Sequence, residues 1–246
     1  MVIGVLGGTG TVGREVVAEL DRRGHAPVVL SRGAPPLGEH RRVDVTSGEG
    51  LADGMAGLDA LVDVVNGRRD VLVEGVARAL RAARTAGVGH VVSLSILGSD
   101  RVPLGYYRAK MAQEAAVRDA GIPWSILRAT QFHALLATVF AAGARMGVLP
   151  IVRVPVQPVD PREVAAALAG LAQDGPTGAI GELAGPRVER MDDLARAWAR
   201  ARGVRRLPLR VPAVGSALRA VRDGALTDPA APRGSVSFAA WLERAA

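Results

Sequence analysis

The stretch Gly7-Gly8-Thr9-Gly10-Thr11-Val12-Gly13 spells G-x-x-G-x-x-G. It lies between an apolar run, Val2–Leu6, and an amphipathic helical pattern, Val12–Arg23. Each glycine has a physical task in a strand–turn–helix unit. Gly7 permits a tight turn, Gly10 lets the backbone approach a pyrophosphate, and Gly13 allows the helix to pack closely on the strand. The helix start offers unpaired N–H groups and the positive end of its dipole. A glycine pattern alone is weak in so glycine-rich a chain; its place directly after the first strand gives it weight. Gly7, Thr9, Gly10, Thr11 and Val12 are the expected phosphate contacts.

Further along, short apolar runs alternate with helical patterns. The runs are Pro27–Leu30, Arg42–Val45, Ala60–Val65, His90–Leu94 and Trp124–Arg128; the helical stretches are Asp70–Ala86 and Tyr106–Ala120. Gly24, Gly87 and Gly121 suit left-handed helix ends. Val/Leu/Ile-rich runs of this kind are buried on both faces, which implies a parallel sheet built from βαβ units. The expected fold is α/β, a Rossmann-like doubly wound parallel sheet. One chain-long unit over 1–246 is expected, with a Rossmann core at 1–132. A small C-terminal substrate-covering lobe, 133–246, returns to the sheet. In that lobe the patterns read as a helix at His133–Met146, an extended stretch Leu149–Pro158, and helices at Arg162–Ala172, Met191–Arg202, Val214–Asp223 and Ser237–Arg244. A strand falls at Ala179–Leu183 and a Pro-rich connection runs through Pro208 and Pro212.

Composition removes several function classes. The chain has no cysteine, which excludes disulfides, thiolate metal sites and cysteine nucleophiles; no metal is expected. No apolar run approaches the roughly 18 residues of a membrane helix, and no secretory leader is apparent, so a cytoplasmic protein off the membrane is expected. The net charge of +7 comes from scattered arginines with few aromatics to stack bases, which argues against nucleic acid. The expected partner is a small-molecule substrate, with the chain a monomer or homodimer.

The basic residues carry one further signal. Of 31, only Lys110 is lysine, and both tyrosines, Tyr106 and Tyr107, lie within five residues of it. Tyr106 and Lys110, four apart, share a helix face; Tyr107 competes at a spacing of three. A free phenol titrates near pH 10, and a neighbouring ammonium lowers that value, so Tyr106 could exchange a proton with a carbonyl oxygen. The second strand ends Ser31-Arg32 with no acid for a ribose 2′-hydroxyl. Arg32 and Ser31 suit a 2′-phosphate instead, so NADP(H) is expected over NAD(H); the alternative is that Arg32 is a solvated surface residue.

The glycine spacing and the stretch Tyr106-Tyr107-Arg108-Ala109-Lys110-Met111-Ala112-Gln113-Glu114 resemble the NmrA-like, NAD(P)H-binding group of atypical short-chain dehydrogenase/reductases. Pro158-Val159-Asp160-Pro161-Arg162-Glu163-Val164-Ala165, Leu183-Ala184-Gly185-Pro186 and Phe238–Leu242 agree with that resemblance. It implies that Lys110 also binds the nicotinamide ribose and that Ser95 bonds the substrate carbonyl, with Ser93 the alternative. Asp44 and Val45 would meet the adenine. Val65 and Asn66 would line the path to the nicotinamide, although Asn66 can equally be a turn residue. Thr130 and Phe132 would touch the nicotinamide; His133 is either a substrate contact or structural. The activity implied is an NADPH-dependent oxidoreductase acting on a small carbonyl, quinone-like or conjugated compound, with Tyr106 as proton donor. Two alternatives stand beside it: a non-catalytic NADP(H) redox sensor, and a same-fold isomerase, dehydratase or cyclase.

Overall fold

The first apolar run forms β1 (Val2–Leu6), and the glycine loop turns into α1 (Thr11–Arg22). Then follow β2 (Ala26–Ser31), β3 (Glu39–Arg42), α2 (Leu51–Met55), β4 (Ala60–Asp63), a π-helical turn at Val71–Gly75, α3 (Val76–Thr85), β5 (His90–Ile96), α4 (Gly105–Arg118) and β6 (Trp124–Ala129). The later elements are α5 (His133–Arg145), β7 (Val148–Ile151), β8 (Pro155–Val156), α6 (Pro161–Asp174), β9 (Ile180–Leu183), β10 (Glu189–Arg190), α7 (Met191–Ala201), β11 (Leu207–Arg210), α8 (Ser216–Arg222) and α9 (Phe238–Arg244). This computed structural model describes residues 1–210 and 215–244. Pro212, and Val214 at the start of an expected helix, lie outside the described residues.

Seven strands form one sheet in the order β3-β2-β1-β4-β5-β6-β9. The pairs β2–β3, β1–β2, β1–β4 and β4–β5 are parallel. Alternate residues of β2 face opposite sides. Val28 and Leu30 join a core with Leu51 and Met55 of α2, Val76 and Leu80 of α3, and Val117 of α4. Val29 lies on the other side, where Gly8 approaches both it and Val17 of α1. On that side Arg23 donates to the Ala166 carbonyl of α6 at 2.9 Å. Helices therefore cover both faces, as the doubly wound reading requires. Gly24, Gly87 and Gly121 all have positive φ, +78°, +78° and +70°.

The chain divides into two compact units. The first comprises Met1–Ser95, Gly105–Arg128 and Arg162–Gly181; the second comprises Ile96–Leu104, Ala129–Pro161 and Glu182–Ala246. The second has its own core, with Leu136 and Phe140 of α5 against Trp198 of α7 and Phe238 of α9.

Three expectations are corrected. The third strand lies at Glu39–Arg42, not Arg42–Val45. Its polar residues pair with Val28–Ser31, and Val43 turns into the core once its N–H has bonded the Ser31 carbonyl. Strand pairing outweighed the apolar signal of Val43 and Val45. The helical stretch at Asp70–Ala86 begins as a π turn rather than a uniform α-helix. The connection at Pro208 contains a strand, β11, parallel to β7.

Candidate active site

The phosphate loop is pinned from several sides. Gly7 has φ +84°, donates to the Leu30 carbonyl at 3.0 Å, and its carbonyl accepts from Gly10 at 2.9 Å. A side chain at Gly13 would collide with the Gly7 carbonyl oxygen and sit 2.7 Å from Gly8 Cα. Gly10 precedes α1 with extended backbone, no side chain caps the helix, and its first turn holds no acid. The first N–H groups of α1 therefore keep their capacity for an anion. Gly10 and Thr11 are exposed, Thr9 is half-buried and Val12 is buried. This cradle, which a Cβ at Gly10 would begin to fill, fits a pyrophosphate.

At the end of β2, Ser31 is buried and its hydroxyl donates to the Gly33 carbonyl at 2.6 Å. Arg32 is exposed. Asp44 accepts from the Thr46 N–H at 2.7 Å; that bond first, and the charge of Arg32 among lesser causes, holds its carboxyl below the usual value. Val45 packs against Gly75 in the π turn.

The expected catalytic pair, Tyr106 and Lys110, separates into an outer and an inner group. Tyr106, at the start of α4, is 40% exposed. Its hydroxyl donates to Asn66 Oδ1 at 3.0 Å, and the same oxygen accepts from Gly67 N–H at 2.8 Å. Lys110 is only 5% exposed. Its Nζ donates to the Leu94 carbonyl at 2.8 Å and to Gln113 Oε1 at 2.7 Å. Gln113 Nε2 donates in turn to Asp63 Oδ2 at 2.6 Å, which Ser93 Oγ also reaches at 3.2 Å. Asp63 Oδ1 accepts from Val65 N–H at 3.1 Å.

This arrangement corrects the expected electrostatics. Burial pushes the Tyr106 phenol up, and the Asn66 bond opposes that shift only in part. The ammonium of Lys110 has turned inward to protein acceptors, so it does not offset the burial in this structure. Burial also pulls the Lys110 amine down, against the attraction of Asp63 and Glu114. Ser95 is 3% exposed and its Oγ has no hydrogen-bond partner. A buried hydroxyl without a partner is costly and calls for an explanation. Ser93, the alternative, is already bonded to Asp63.

Thr130 and Phe132 belong to the second unit. The Thr130 hydroxyl donates to the Gln157 carbonyl and accepts from Gly185 N–H. Phe132 precedes α5 and forms a parallel bridge with Val159. His133 is buried, bonded to the Val236 carbonyl, and rests near Phe238 and Trp241. Two participants escaped the sequence reading. Gln113 was visible only as part of the Tyr106–Glu114 stretch, and Asp63 as the one acid inside the apolar run Ala60–Val65. Among the described residues, no cluster of three or more His, Asp or Glu could hold a metal ion, and no helix is long and apolar enough to cross a membrane.

Comparison with known proteins gives matches in sequence and in fold. Residues 7–142 match the family described as NAD(P)H-binding. The chain is 33% identical over 195 residues to a (4-alkanoyl-5-oxo-2,5-dihydrofuran-3-yl)methyl phosphate reductase of Streptomyces griseus subsp. griseus, covering 74% of this chain and 67% of that protein. An NADPH-dependent quinone oxidoreductase from Escherichia coli, complexed with NADPH, shares the fold with a TM-score of 0.82, 20% identity and 99% coverage of each chain. A Citrobacter sp. triphenylmethane reductase complexed with NADP(H) gives 0.81, 19% identity and 100% coverage of both. With a glycine cradle open to a pyrophosphate, this strand order and a sequence match over more than half its length, the chain belongs to the NAD(P)H-binding family.

Proposed function

We propose that the chain is an NADPH-dependent reductase of a small conjugated carbonyl compound, of the unsaturated-lactone or quinone-like class, with Tyr106 as its proton donor. The observation that carries this reading is the exposed Tyr106 hydroxyl held on Asn66, three residues beyond β4, the strand next to the one that bears the unpartnered Ser95 hydroxyl. A sensor needs neither group.

The N–H groups of Thr9, Thr11 and Val12 would hold the pyrophosphate, with the bare Cα of Gly10 leaving room for it, Arg32 and Ser31 the 2′-phosphate, Asp44 and Val45 the adenine edge, and Val65 and Asn66 the nicotinamide side. When bound, NADPH supplies a hydride. Delivered to the carbon β to a conjugated carbonyl, that hydride would leave negative charge on the carbonyl oxygen. Ser95 Oγ would donate a hydrogen bond to that oxygen, and the Tyr106 hydroxyl would deliver a proton to it, giving the enol or hydroquinone and a phenolate that takes up a proton from solvent. Asn66 holds the phenol in a single orientation beforehand. The Streptomyces relative, named for reduction of a phosphorylated dihydrofuranone, favours the unsaturated-lactone class.

The test is NADPH consumption with a panel of quinones and conjugated lactones, beside NADPH binding followed by fluorescence. Tyr106→Phe is expected to bind NADPH like the parent and to lose roughly two to four orders of magnitude in turnover. Turnover retained in Tyr106→Phe overturns the proton-donor assignment. Tight NADPH binding with no acceptor reduced would favour the sensor; substrate conversion without NADPH consumption would favour the non-redox alternative.

A further inference from the structure

A charged lysine does not sit unaided in a protein interior. Lys110 is 5% exposed and Asp63 is fully buried, and each loses the solvation that favours its charged form. They are joined through Gln113, which accepts from Nζ with its oxygen and donates to the carboxylate with its nitrogen. Each end is tied to a strand backbone: Nζ to the Leu94 carbonyl of β5, and Asp63 Oδ1 to the N–H of Val65 just after β4. Glu114 is the second acid that acts on Lys110, but Arg128 of β6 holds it bidentately at 2.9 and 2.8 Å. Asp63 is therefore the acid left to balance the ammonium.

We propose that Asp63 and Gln113 are positioning residues for Lys110, a buried counter-charge relay that keeps its ammonium charged and anchored beneath the cofactor site. This rests on the reading of Lys110 as part of the nicotinamide site. Gln113 is the suited connector, because an amide offers an acceptor on one side and a donor on the other. A carboxylate in direct contact would hold Nζ as a plain ion pair. The neutral amide holds the ammonium more weakly, so that it can turn toward a ribose hydroxyl when one is present.

Lys110 is the only lysine of the chain, so isotope-labelled lysine gives a single side-chain resonance and its titration is read directly by NMR without any substrate. Asp63→Asn keeps the shape of the side chain and removes its charge. The Lys110 titration is expected to move to lower pH in this variant. The double variant Asp63→Asn/Gln113→Glu returns a negative charge to the relay one link nearer Nζ, and the titration moves back up. Turnover in Asp63→Asn is expected to fall on the order of a hundredfold, with its basic limb displaced to lower pH and with the double variant partly restored. Superimposable Lys110 titrations in the parent and Asp63→Asn overturn the relay. A Lys110→Met variant that binds NADPH and turns over like the parent instead overturns the underlying reading of the site, whatever the resonance does.

Discussion

Replacing Gly13 by alanine tests the phosphate loop more sharply than removing any charged group. The new methyl would lie 2.7 Å from Gly8 Cα and nearer still to the Gly7 carbonyl oxygen, where real methyl groups keep 3.0 Å or more. Neither partner is a movable side-chain tip. Gly7 is tied to β2 through the Leu30 carbonyl, and its Cα faces the backbone of Val64 and Val65. The strain must be taken by separating α1 from β1, at an overpacking cost of about 2 kcal/mol, which for a chain of this size lowers the melting temperature by roughly 4 to 8 °C. The displaced helix start also loses aligned N–H groups; one charge-assisted hydrogen bond lost is about a tenfold weakening of NADPH binding. Gly10→Ala is the matched control. Its methyl meets only the Gly7 oxygen, at 3.2 Å, and its backbone suits any residue. The ligand-free melt should fall by less than in Gly13→Ala, because alanine in place of glycine at a helix N-cap costs on the order of 0.5 to 1 kcal/mol. NADPH affinity should still fall, because the methyl fills the cradle. Thermal melts and fluorescence titration of both variants decide the matter. Gly13→Ala with parental stability and affinity would refute the packing argument, and Gly10→Ala with parental affinity would refute the placement of the pyrophosphate.

Two further outcomes follow from surface charges. Arg32→Ala is expected to weaken NADPH binding at least tenfold while leaving NADH nearly untouched, the contribution of a charge-assisted contact to the 2′-phosphate; equal losses for both would dismiss Arg32 from that role. Glu19, bonded by Arg22 and Arg23, has its carboxyl lowered to about 2. A depressed carboxylate contributes stability that is present above its unfolded value and lost as pH falls through the folded one. The melting temperature should therefore drop between the ordinary carboxylate range and pH 2, and Glu19→Gln should flatten that part of the curve; identical acid profiles would assign the acid sensitivity to other groups.

The sequence was most informative where the local backbone itself imposes the residue. Gly7 and the helix-ending Gly24, Gly87 and Gly121 stand at positive φ, so their identity announces the turn from a few neighbours. The β1–α1 unit and most strands were legible for that reason. β3 was not, because Glu39–Arg42 is a strand by virtue of its partner β2 rather than its own composition. The pairing of Tyr106 with Lys110 was legible as a spacing, but not that the two part company in depth. Lys110 turns inward to the Leu94 carbonyl and to Gln113, which meets Asp63 across 50 positions of chain. A periodicity of four residues reports which face of a helix a side chain leaves; it holds nothing about which strand waits beneath that face.

The depth of Lys110 also makes the folded chain almost blind to amine chemistry. Its one side-chain amine is buried and bonded at two points, so acylating reagents and lysine-modifying enzymes reach it only when it leaves those acceptors. The rate at which a reagent marks Lys110 is then a clock for that local opening at the centre of the site. A bound dinucleotide should slow that clock, so ligands can be ranked by the protection they confer before any reaction has been found.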